Sequence, residues 1–147
     1  MPTFHLDVAT PERMVFVGEV GMLLAPGSEG QLGILPHHAA LLSLLAEGEL
    51  VIRREGHEDM VMAIGGGVLE VGPDKVIVLA DSAERAEEID LSRAESARKR
   101  AQELLTRRGD QLQMEQAQAA LRRAATRIRV AGRRRRRAGG PPQQPPA

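Results

Sequence analysis

The sequence predicts a β-sandwich followed by an antiparallel two-helix hairpin. Three observations carry this. The first 90 residues hold 16 acids and 5 bases, and residues 91–147 hold 4 acids and 15 bases, so a formally neutral chain divides into parts of net charge −11 and +11. Fourteen of the 15 glycines lie outside 91–131, and valine, dense before residue 80, gives way there to alanine, glutamine, glutamate and arginine. That is helix-forming composition. Apolar residues alternate or run in short stretches before the boundary and recur at three- and four-residue spacing after it. Composition turns over near Ala83–Asp90, which predicts a β domain at 1–84, a helical domain at 85–131 and a tail at 132–147.

The strands follow in order. Phe4, Leu6 and Val8 alternate with His5, Asp7 and Ala9 until Thr10-Pro11 ends the run. Met14–Val17 and Val20–Leu24 are short apolar runs on either side of Gly18, and Pro26–Gly30 is turn chemistry. Leu50–Ile52 leads through Glu55-Gly56 to Met60–Ile64, which reads as a hairpin. Gly65-Gly66-Gly67 reads as a bulge or strand junction, because no helix start follows it to make a phosphate cradle. Val68–Val71, the turn at Gly72-Pro73-Asp74 and Val76–Ala80 complete the domain. Ala39–Leu45 fits either a buried strand or a helical turn. Short strands with closely spaced turns indicate a sandwich or flattened barrel.

Asp90 suits the N-cap of a first helix running to Arg108, and Gly109-Asp110 separates it from a second, from about Gln111 to Val130. Ala94, Ala97, Ala101 and Leu104 make an apolar stripe on the first helix; Met114, Ala117, Leu121, Ala124 and Ile128 make one on the second. Antiparallel pairing matches 104 with 114, 101 with 117, 97 with 121 and 94 with 124. Most of these knobs are alanine, and a buried methylene is worth only about 0.8 kcal/mol. Such a hairpin can open on modest provocation, or it can be an ordinary surface hairpin; composition leaves both open.

Several functions are excluded or unsupported. Cysteine is absent, which removes disulfides, thiolate nucleophiles and cysteine-ligated metals. No apolar run approaches the ~20 residues that span a bilayer, and the N-terminus lacks the pattern of a signal peptide, so a soluble intracellular protein is expected. With two phenylalanines and no Trp or Tyr there is no stacking platform for single-stranded nucleic acid. Phosphate-loop, dinucleotide and zinc-protease motifs are missing, and His37-His38 lacks a third metal ligand. No catalytic residues and no metal site are expected.

The hairpin arginines are different. Arg93, Arg100, Arg123 and Arg127 each precede a stripe position, so all four fall on one flank of the apolar seam. In an antiparallel pair matching flanks face each other, and guanidiniums crowded on one edge repel unless an anion intervenes. Their planar donors suit phosphate oxygens. A solvated basic face is the alternative.

At this point the residues carry a resemblance. Gly30-Gln31-Leu32-Gly33-Ile34-Leu35-Pro36-His37-His38, Gly66-Gly67-Val68-Leu69-Glu70-Val71 and Pro73-Asp74-Lys75-Val76-Ile77-Val78-Leu79-Ala80 closely resemble the epsilon subunit of bacterial F-type ATP synthase, from about residue 3 to 131. The resemblance implies a sandwich of about ten strands beside a two-helix domain. It implies a non-catalytic central-stalk subunit on the cytoplasmic face of the bacterial inner membrane, peripheral to it, that binds the gamma subunit and the c-ring. Its hairpin would extend toward the alpha and beta catalytic subunits and inhibit ATP hydrolysis. Contact residues toward the rotor would be Glu29, Gln31, Leu32, Ile34 and His38.

Ile89-Asp90-Leu91-Ser92-Arg93-Ala94 matches the family's I/L-D-x-x-R-A nucleotide motif. Arg100, Arg123 and Arg127 stand at its other phosphate-facing arginines, and Glu84 at its acidic residue before the first helix. The resemblance therefore implies ATP as a regulatory ligand held by Glu84, Ile89, Asp90, Arg93, Ala94, Arg100, Arg123 and Arg127. Gln31 departs from the family's usual Glu, and Pro36-His37-His38 from its Pro-Gly-His. Arg133–Arg137 and the Gly/Pro/Gln-rich end extend past the usual terminus and read as a disordered, solvated tail, with anionic lipid or an acidic partner patch as the other readings. The alternative to the whole assignment is a β-domain with a basic arm for nucleic acid, against which the acidic first part speaks.

Overall fold

The computed structural model describes residues 2–107 and 109–138. The chain forms two compact units, Met1–Arg85 and Ala86–Ala147. The first contains β1 (Phe4–Ala9), β2 (Met14–Val20), β3 (Met22–Gly27), β4 (Gly30–Ile34), β5 (Leu41–Arg53), β6 (Met60–Val71), β7 (Lys75–Ala80) and β8 (Ala83–Arg85). The second contains a 3₁₀ turn at Ala86–Glu88, α1 (Leu91–Thr106) and α2 (Gln111–Ala138).

The strands follow the order β2-β1-β7-β6-β5-β3-β4, with β8 also on β6. β1 runs parallel to β7, and the other pairs are antiparallel. Eight strands suffice where the resemblance implied about ten, because β5 and β6, of 13 and 12 residues, each serve twice. Leu41–Leu45 and Gly67–Val71 pair in the layer continued by β7 and β1. Gly48–Ile52 and Met60–Ile64 pair in the layer continued by β3 and β8.

The changeover falls on the glycine run, as a strand junction should. Gly66 and Gly67 have φ of 103° and 147°, conformations that L side chains rarely adopt. A Cβ on Gly67 would collide with the Leu79 carbonyl oxygen and lie 2.8 Å from the Ala80 Cα. Inward-facing side chains from both layers, among them Leu6, Val8, Leu23, Leu50, Ile52, Met62, Leu69 and Val78, lose all contact with solvent.

Two strands escape the sequence pattern. β4 is glycine-rich and pairs with β3 across a Ser28-Glu29 turn, Gly27 opposite Gly30 and Pro26 opposite Gln31. β8 has three residues, too few to show a period. The ambiguous Ala39–Leu45 segment resolves into the start of β5.

In the second unit carboxylates open both helices. Asp90 Oδ1 accepts from the Arg93 N–H at 3.1 Å, and Asp110 Oδ1 from the Gln113 N–H at 2.8 Å. Each satisfies a donor that the first helical turn leaves free. The helices pack on one another along buried Ala94, Ala101, Ala117 and Ala124. Two details differ from the expected seam. Leu104 is 52% exposed and Leu105 is half-buried instead, because a four-residue step from Ala101 keeps the straighter 3.6-residue period. Helix α2 also continues past Gly132 to Ala138, through the arginine run that sequence composition assigned to a disordered tail. One glycine costs a helix only about 1 kcal/mol, and cations favour its C-terminus. Residues 139–147, the rest of that tail, lie outside the described residues.

Candidate functional site

Arg93 occupies the first turn of α1, Ser96 the next and Arg100 the one after, so the three share a face. Across from them, α2 supplies Arg127. Ser92, Arg93, Ser96, Ala97, Arg100 and Arg127 line an open cleft of about 640 Å³ within the hairpin unit. That lies inside the usual range for small-molecule sites, roughly 300–1,000 Å³. Three arginines and two serines are among its lining residues, and no Asp or Glu is. Arg93 is 84% exposed, tethered loosely by Asp90 Oδ2 at 3.6 Å from its Nε. The arrangement suits an anion with several oxygens: planar donors from two helices can share it, and the serines add neutral donors.

Of the arginines that the sequence brings forward, Arg93, Arg100 and Arg127 therefore meet at one cleft. Arg123 is exposed on α2 and is not among the lining residues. Asp90 is committed to the helix cap. Ile89 is half-buried, and Ala94 is fully buried in the seam, where its small side chain keeps the helices close rather than meeting a ligand. Glu84 belongs to the other compact unit, in β8 opposite Ala63.

The proposed rotor contacts also divide. Glu29, Gln31 and His38 are exposed and Leu32 is half-buried. Ile34 is 0% exposed, an inward position of β4 that no partner can reach, so it is a core residue. Beyond β4, His37 takes a left-handed conformation with φ 65°, a geometry that glycine adopts at no steric cost. His38 Nδ1 lies 2.7 Å from the Ala39 carbonyl oxygen. His37, His38, Leu35, Asp74, Lys75 and neighbouring residues line a second open cleft of about 520 Å³.

One surface was missed by sequence reasoning. Leu42 and Leu44 of β5 are 73% and 66% exposed, and Leu79 of β7 is 56% exposed. Leu44 is opposite Val68, which is opposite Leu79, so these three lie in a row across the sheet, and Leu42, two residues along β5, shares their outer face. The signal was present in Leu41-Leu42-Ser43-Leu44-Leu45, apolar on both faces where a half-buried strand should alternate.

Comparison with known proteins decides the family. Residues 3–86 match the model described as ATP synthase, Delta/Epsilon chain, beta-sandwich domain, and residues 87–132 its long alpha-helix domain. The chain belongs to the ATP synthase delta/epsilon family. The ATP synthase epsilon chain of Moorella thermoacetica is 46% identical over 132 residues, covering 90% of this chain and 98% of the relative. That of Dehalococcoides mccartyi strain BAV1 is 47% identical over 135 residues, covering 91% and 96%. A chain of the Euglena gracilis mitochondrial ATP synthase OSCP/F1/c-ring structure has the same fold, with TM-score 0.77 and 23% identity over 86% of this chain and 80% of that one. A chain of the Tetrahymena thermophila mitochondrial ATP synthase central stalk/c-ring gives TM-score 0.62 and 16% identity over 90% and 96%. As an epsilon chain it is a non-catalytic subunit of a membrane-associated complex. None of its described helices is long and apolar enough to cross a membrane.

Proposed function

We propose that this epsilon chain is a central-stalk subunit whose sandwich couples the gamma subunit to the c-ring and whose hairpin senses ATP. The observation that carries the sensor is the meeting of Arg93, Arg100 and Arg127, from two helices, at one open cleft. A triphosphate there screens the arginines from one another and ties α1 to α2 through shared phosphate oxygens. The alanine seam contributes little grip of its own, so ligand binding weighs heavily in the balance between closed and open hairpin. ATP shifts that balance only by preferring the closed form. When ATP falls, the basic helices are released toward acidic surfaces of the alpha and beta subunits and inhibit hydrolysis.

Two sandwich surfaces fit the coupling role. The exposed patch of Leu42, Leu44 and Leu79 is an apolar surface of the kind that marks an interaction site, and we assign it to gamma. The polar residues Glu29, Gln31 and His38 are assigned to the c-ring, and the cytoplasmic face of a bacterial inner membrane is the site that this reading proposes for the chain. Calorimetric titration of ATP into the whole chain tests the sensor. Arg93→Ala combined with Arg127→Ala should remove binding while the helical circular dichroism persists. Unchanged affinity would discard the site and leave only coupling.

A further inference from the structure

Helix α2 continues beyond the family match. The family's helical domain ends at residue 132, and the Moorella relative is matched over 98% of its own length within 132 residues. Yet α2 runs to Ala138 with Arg133–Arg137 in helical backbone. Successive helical positions are about 100° apart, so these five go right round the axis. No side of this helix end lacks a basic position, and none supplies an apolar stripe for packing on a folded partner. From Gln116 to Ala147 the sequence has nine arginines and no acid. The negative end of the helix dipole favours cations there, which makes the run compatible with continued helix.

We propose that this arginine-ringed helix end is an electrostatic anchor for a bilayer surface rich in anionic phospholipid. A fluid headgroup layer presents phosphates that rearrange around a helix with basic positions all round its axis, whereas a folded acidic protein offers a fixed face. Single-stranded nucleic acid lacks its usual stacking partners: both phenylalanines lie in the sandwich and there is no Trp or Tyr. Membership of a membrane-associated complex brings a lipid surface near, and α2 meets it from outside, since no described helix is suited to cross.

Vesicle co-sedimentation of the whole chain tests this, with phosphatidylcholine alone and with added phosphatidylglycerol. Each basic residue near an anionic surface strengthens binding about fivefold. With part of the ring in reach, the whole chain should bind the anionic vesicles on the order of a hundredfold more tightly than a chain ended after Gly132. The preference should vanish in high salt. A second variant with Arg133–Arg137 replaced by Gln, its helicity checked by circular dichroism, should behave like the truncated chain. Equal binding by whole and shortened chains overturns the anchor, as does equal binding to both vesicle types. Tighter and more salt-resistant binding to a DNA duplex than to anionic vesicles overturns it in favour of nucleic acid.

Discussion

Gly67 and His37 both hold positive φ, for opposite reasons and with opposite consequences. At Gly67 the strand passes so close to Leu79 and Ala80 that no Cβ fits. Gly67→Ala is therefore expected to cost about 3 kcal/mol or more, combining a left-side conformation with backbone overlap, and a urea titration would register it. His37 is exposed, so its left-handed backbone costs about 1–2 kcal/mol with no tight neighbour to justify it. Glycine removes that strain and returns part of the gain as unfolded-state entropy. His37→Gly should raise stability by about 0.5 kcal/mol, and a lowered urea midpoint would refute the reading. The glycine run was legible in the sequence because three glycines inside a β pattern leave few alternatives. Ile34 was not: Gly30, Gln31 and Gly33 around it obscure the period that would mark it as inward. Titration adds little here. Asp59, bonded to Arg53 at 3.0 and 3.1 Å, raises the pKa of that guanidinium. A raised cation pKa gives stability that is lost only as pH climbs past the usual arginine range, so Arg53 confers no pH dependence near neutrality.

The helices were readable for a different reason: caps and breakers are local. Asp90, Asp110 and Gly109 lie where α1 and α2 begin and part, and the four seam alanines follow from periodicity alone. The shift from Leu104 to Leu105 was hidden because either residue continues the stripe, and only packing chooses between them. The end of α2 was misjudged because composition cannot tell a charged helix from a charged tail. The alanine seam also sets the dynamics of this element. Ala94, Ala101, Ala117 and Ala124 bury single methyl groups, while β5 and β6 are anchored by Leu50, Ile52 and Met62. Local opening follows buried apolar contact. Amides of α1 and the first turns of α2 should therefore exchange at least tenfold faster than those of Leu50–Ile52 and Val61–Ile64, and ATP should slow only the helical set. Uniform exchange across both units would contradict a lightly held hairpin.

For the molecule as a whole, the separation of cores matters most. Among the described residues, every member of the main hydrophobic cluster and every partly buried hydrophobic side chain packed against it falls between Phe4 and Ala83, inside the unit that ends at Arg85. The sandwich thus owns all of that core, and its first and last strand partners are internal to it. Ending the chain after Arg85 removes no member of that cluster and cuts at the border between the units. The shortened chain is expected to unfold cooperatively in urea with the far-ultraviolet spectrum of β structure. Its charge should be distinctly acidic on ion exchange, since residues 1–85 hold 13 acids against 5 bases. ATP should no longer bind, because Arg93, Arg100 and Arg127 are gone. The converse piece, residues 86–138 alone, should be only partly helical without ligand, since its seam is largely alanine and helices draw most of their stability from tertiary packing. A folded sandwich that still bound ATP would move the nucleotide site out of the hairpin; a shortened chain that failed to fold would show that the first unit does not stand on its own cluster.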